Sequence, residues 1–71
     1  MTNVNKLKGK FVENGLTQGD VANHLGMSSR CMTDRLNSGN FKTDEIVEMT
    51  RLLNINKAEE FMEIFFPDFV A

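Results

Sequence analysis

The sequence predicts an all-helical fold, a compact bundle of about five helices, and three observations carry that prediction. The only proline, Pro67, lies near the end of the 71 residues, so nothing interrupts a helix before it. β-branched residues never alternate at period two, and the strand-favouring Tyr and Trp are absent. Apolar residues instead recur at three- and four-residue spacing, in segments bounded by caps and glycines.

The first helix runs from about Asn3 to Asn14, with Val4, Leu7 and Phe11 on one face and Lys6, Lys8 and Lys10 off it. Gly15 is its left-handed stop, and Gly9 inside it costs about 1 kcal/mol against alanine. The second helix begins at Thr17, whose hydroxyl caps the first turn, with Asp20 in place of a capping-box glutamate. Val21, Ala22 and Leu25 form its buried stripe, and Gly26 ends it. Ser28 caps the third helix, which carries Met32 and Leu36 on one face and gives way to the turn residues Ser38, Gly39 and Asn40. Thr43 caps the fourth, with Asp44 and Glu45 at the positive end of its dipole, and Ile46, Val47, Met49, Leu52 and Leu53 supply its apolar surface. Asn54 to Asn56 break the chain before a fifth helix from about Lys57 to Phe66, where Ala58, Phe61, Met62 and Phe65 share a face. Ile64, Phe66, Phe69 and Val70 add more apolar surface than one face buries, so some of it is expected to fold back on the core or meet another subunit.

At this length residues 1–71 make one domain, burying about 60% of the surface its unfolded chain exposes. That leaves little room for an enclosed active site and suits a surface that docks onto something larger. The lone cysteine, Cys31, excludes an internal disulfide, Met1 to Lys10 lacks a signal-peptide apolar run, and no stretch approaches a membrane span. A soluble cytoplasmic protein with no membrane association is expected. His24 is the only histidine and is expected on the exposed side of the second helix, with Cys31 partly buried. No His/Cys cluster has metal-ligand spacing and the glycines are scattered, so neither an enzyme nor a metal or other cofactor is expected.

The net charge of −2 is unevenly spread. Up to Lys42, six basic residues (Lys6, Lys8, Lys10, Arg30, Arg35, Lys42) face three acids, a balance of +3. From Thr43 onward, two basic residues face seven acids, a balance of −5. A polyanion is expected to meet the basic front half.

The most informative stretch is Gln18 to Asn37, QGDVANHLGMSSRCMTDRLN. Ala22 is small enough for two helices to cross closely, Gly26 suits a left-handed turn, and Val21, Leu25, Met27 and Met32 plug the angle between the helices. With Gly15-Leu16-Thr17-Gln18 before it and Asn37-Ser38-Gly39 after it, this stretch resembles the helix-turn-helix of the phage Cro and repressor (XRE-like) family. The LKGKF of the first helix, Phe41 to Ile46, Leu52 to Ile55 and Phe65-Phe66 extend the resemblance to the short phage-type regulators of Gram-positive bacteria and their phages, over roughly residues 4 to 66. The chain departs from the pattern at Arg35, where the family places an apolar residue; Leu36 follows one position later and the turn glycine is displaced. The end of the third helix is therefore expected to be longer or rotated.

The resemblance implies a lambda-repressor-like DNA-binding domain with its helix-turn-helix at about residues 18–37, acting as a transcriptional regulator on a double-stranded operator. The third helix would lie in the major groove with Ser29 and Arg30 at the base edges, Arg30 pairing with guanine, and Thr33 and Asp34 one turn on. Asp34 has three roles open to it: accepting from a cytosine amine, holding Arg30 as an i+4 partner, or repelling a phosphate. Gln18 and Ser28 at helix N-termini, with Lys10, Arg35, Asn37, Asn40 and Lys42, are expected on the phosphates. Plain capping is the alternative for Thr17, Gln18 and Ser28. Two-fold pairing is expected through Phe61, Ile64, Phe65, Phe66 and Phe69, the alternative being that these residues complete the core. Phage switches also use small helix-turn-helix proteins that bind the main repressor protein. The negative net charge, Asp34 and the apolar C-terminal helix and tail (57–71) favour that second reading; Arg30 beside Ser29 favours DNA.

Overall fold

Local hydrogen bonding marks where the first four helices begin. The computed structural model describes residues 1–69 and places α1 at Val4–Glu13, α2 at Gln18–Leu25, α3 at Ser29–Ser38, α4 at Thr43–Leu52 and α5 at Ala58–Phe65, followed by a 3₁₀ turn at Pro67–Phe69. No strand occurs among the described residues, and no helix there is long and apolar enough to cross a membrane. Val70, one of the surplus apolar residues, lies outside the described residues.

Asn3 caps α1 by accepting the Lys6 N–H at 3.2 Å. At α2 the capping box is complete: Thr17 Oγ1 accepts the Asp20 N–H at 3.1 Å and the Asp20 carboxylate accepts the Thr17 N–H at 2.9 Å. Ser28 Oγ accepts the Cys31 N–H at the head of α3. Gly26, at φ 68°, occupies the left-handed region between α2 and α3, where a side chain would be strained. The cap of α4 differs from the sequence expectation. Thr43 is already helical, and the cap position falls on Lys42, whose N–H donates to Glu45 Oε1 at 2.8 Å. This is the acidic half of a capping box working without a hydroxyl partner.

Every helix contributes to one core: Leu7 and Phe11, Val21 and Ala22, Met32 and Leu36, Met49 and Leu53, Ile64 and Phe65, with Ile55 from the loop before α5. α2 packs against α1, α3 and α4, and α1 also packs against α5. Ala22 is nearly fully buried, 2% exposed, on the helix that packs against α1, α3 and α4. Val47, part of the apolar surface read for the fourth helix, is 46% exposed.

Polar ties close the bundle. Asn14 Nδ2 donates to the carbonyls of Lys10 and Leu53, and Asn54 Nδ2 donates to Asn14 Oδ1, joining the ends of α1 and α4. The Thr2 N–H donates to Gly39 O at 2.9 Å and the Asn3 N–H to Ile64 O at 2.6 Å, so the segment before α1 spans the ends of α3 and α5.

The subunit interface read from the sequence is corrected in part. Ile64 and Phe65 are each 2% exposed and fill the core of their own chain, so neither is available to a second copy. Phe61 is half-buried, while Phe66 (36%) and Phe69 (77%) stay at the surface. Tilted ring pairs Phe65–Phe61, Phe61–Phe66 and Phe66–Phe69, with centroids 5.3, 5.9 and 6.3 Å apart, connect core to surface.

Candidate nucleic-acid interface

α3 buries Met32 and Leu36, half-buries Cys31 and Arg35, and turns its remaining side chains outward. Ser29, Arg30, Thr33, Asp34 and Asn37 are all exposed, as are Ser28 at its cap and Gln18 at the start of α2. Gln18 Nε2 donates to Thr33 Oγ1 at 3.2 Å, and Thr33 Oγ1 in turn donates to Ser29 O at 3.0 Å. Gln18 is thus joined to the middle of α3, beyond the plain helix-end position the sequence suggested. Arg30 and Asp34 share one stripe of α3, yet they form no ion pair with each other or with any other described residue.

Arg35 does not stand free as a phosphate contact. Its Nε donates to Glu45 Oε1 at 2.9 Å and its Nη2 to Glu45 Oε2 at 3.3 Å, a two-point bridge from α3 to α4. Where the resemblance called for an apolar contact, this chain has an ion pair with side chains only 25% and 12% exposed. α3 continues to Ser38 and ends at Gly39, φ 72°, in line with the later end expected there. Burial pushes the Glu45 carboxyl up, but the Arg35 guanidinium and the Lys42 N–H outweigh it and hold the group below its ordinary value. Glu45 therefore serves Arg35, the cap of α4 and the placing of the exposed Lys42 together. Its spacing from Lys42 is the sequence signal for the cap; nothing local pointed to Arg35.

Lys10 is also withdrawn from the expected contacts. Its ammonium lies 3.3 Å from both Glu13 and Glu60, with the side chain 13% exposed. Burial pushes it down, and the two carboxylates more than reverse this, leaving it above its ordinary value. Lys6 pairs with Glu63 at 3.2 Å. Two of the three lysines of α1, Lys6 and Lys10, are thus paired with carboxylates of the acidic helix it packs on, while Lys8 is exposed. Lys8, Arg30, Lys42 and Lys57 form no ion pair among the described residues.

A family model described as "Protein of unknown function (DUF739)" matches residues 2–68, nearly the whole chain and all five helices. The chain belongs to the DUF739 family. No curated protein and no solved structure matches it. In this DUF739 member, Asn40 is exposed with its N–H donating to Ser38 Oγ, closing the turn after α3. His24 is exposed and Cys31 half-buried. Among the described residues no three His, Cys, Asp or Glu side chains come together as a metal site.

Proposed function

We propose that this DUF739 chain is a sequence-specific DNA-binding regulator of the phage Cro/repressor type, in which α2 and α3 form a helix-turn-helix and α3 reads the major groove. The observation that carries the reading is the outer face of α3: Ser29, Arg30, Thr33, Asp34 and Asn37 are exposed and polar around a two-residue stripe of core contacts. Such a face, set on a helix held rigidly from behind, meets what base-edge readout needs. Ser28 and Gln18, at the heads of α3 and α2, lie where backbone N–H groups meet phosphates in such motifs.

The test is a titration onto labelled duplex from the DNA flanking the gene, at two salt concentrations, with Arg30→Ala alongside. Selective binding that weakens with salt, and loses selectivity in the variant, is the expected result. With Arg30 assigned to a base edge and Lys42 the unpaired cation left for the phosphates at the head of α4, the logarithmic salt slope should be shallow, about −1 for one chain.

One observation favours a second reading, a modulator that binds a phage repressor protein. Lys6, Lys10 and Arg35 are committed to internal carboxylates, which leaves few cations for DNA. Absence of selective binding at low salt, together with complex formation with a repressor encoded beside the gene, would replace the first reading with this one.

A further inference from the structure

Resting on the reading of α3 as the DNA-reading helix, we infer that Asp34 is a specificity-determining residue: its carboxylate selects a cytosine beside the guanine read by Arg30, and it weakens binding to every sequence that lacks one. The sequence left three roles open for Asp34, and the structure removes one of them. An i+4 partner of Arg30 would show an ion pair, and none forms. Nor does Asp34 cap a helix, since Ser28 holds that place on α3. It is an exposed carboxylate with no partner among the described residues, on the stripe that carries Arg30.

An ionised carboxylate only accepts hydrogen bonds. In the major groove guanine offers two acceptors, thymine an acceptor and a methyl, and adenine a donor flanked by an acceptor. Cytosine alone offers a donor with no acceptor of its own. Among the four base edges, it is the one that receives Asp34 without repulsion. Four residues of helix advance about 6 Å, and base pairs rise 3.4 Å, so the cytosine falls about one or two base pairs from the guanine. At every other base edge the same carboxylate meets at least one acceptor, and along the backbone it meets phosphates. The remaining two roles are thus one: attraction at the right site and repulsion at wrong ones.

The neighbouring Thr33 does not share the work. Its hydroxyl proton goes to Ser29 O and its oxygen accepts from Gln18 Nε2, so it has no donor left for a base. Polar readout by the second turn of α3 therefore falls to Asp34.

The experiment is selection of the full chain on a duplex library with a randomised window, alongside titration on an alternating A·T duplex as the non-specific probe. The parent should enrich a guanine with a cytosine within about two base pairs, the cytosine preferred by about tenfold. Asp34→Asn should shift that position to adenine, whose edge suits an amide, and bind the A·T duplex severalfold more tightly. Asp34→Ala should flatten the position, and Thr33→Val should select the parental sequence. A parental motif that Asp34→Asn and Asp34→Ala leave unchanged overturns the inference while the DNA-reading proposal stands. A parent that enriches no motif overturns both.

Discussion

The α1–α5 side and the α2–α3 side of this bundle carry similar charged residues and use them in opposite ways. On α1, Lys6 and Lys10 reach across to Glu63 and Glu60 at 3.2 and 3.3 Å. On α3, Arg30 and Asp34 are close enough in sequence to pair and do not. The first region pairs two of its three lysines internally and leaves Lys8 exposed. The second leaves a cation and an anion for something outside the chain. Charge along a sequence is therefore a poor guide to charge on a surface when a basic helix packs on an acidic one.

The contrast can be broken most forcefully through the core that both regions share. Phe65→Ala should cost about 3–5 kcal/mol, a large part of the stability of a small domain, and urea unfolding will read it. On the proposed function, nucleic-acid binding should fall with it, because α3 is held through that core. Next in size is the bridge from α3 to α4. Arg35→Ala leaves the poorly exposed Glu45 without its cation and should lower the thermal midpoint at neutral pH.

Acid titration sharpens the comparison through Glu45 and Asp20. Glu45 is held below its ordinary value by Arg35 and Lys42 against its burial, and Asp20 by the Thr17 N–H and hydroxyl. Groups lowered in the folded state contribute stability that is fully present above the unfolded values, about 4, and is lost as pH falls through the folded ones. Thermal midpoints should therefore drop below about pH 4, and Glu45→Gln should flatten that drop while lowering the midpoint at pH 7. Lys10 is raised and works the other way, its contribution lost as pH climbs beyond about 10.4. The smallest effect is expected from Lys6→Ala. That exposed pair should be worth under about 1 kcal/mol, with DNA selection unchanged. Arg30→Ala should be equally silent in unfolding and decisive in selection.

What could be read in the sequence was what short-range chemistry decides. Thr17 with Asp20, Ser28, Gly26 and the stripes of α1 to α3 are set by neighbours within four residues, and the structure agrees with them. The cap of α4 falls one residue earlier than the sequence suggested, at Lys42, whose N–H donates to Glu45 three residues on. Long-range partners were not legible. Nothing near Arg35 announced Glu45, and nothing near Lys10 announced Glu60, 50 positions away in a helix with its own reasons for being acidic. The C-terminal phenylalanines divided for the same reason: helical spacing groups Phe61 with Phe65, but only packing against α1 decides that Ile64 is inside and Phe66 is not.

The pairing of α1 with α5 also has a consequence in time. The Lys6–Glu63 contact spans 57 residues, and the apolar stripe of Leu7 and Phe11 finishes its packing only when Ile64 and Phe65 arrive. During synthesis, at about 5–20 residues per second, α1 waits about 3–10 s for its partner. A helical bundle then closes in microseconds to milliseconds. Production of the folded chain is paced by the ribosome, and a stalled or truncated product lacking α5 would leave an amphipathic basic helix exposed to whatever acidic or apolar surface it met first.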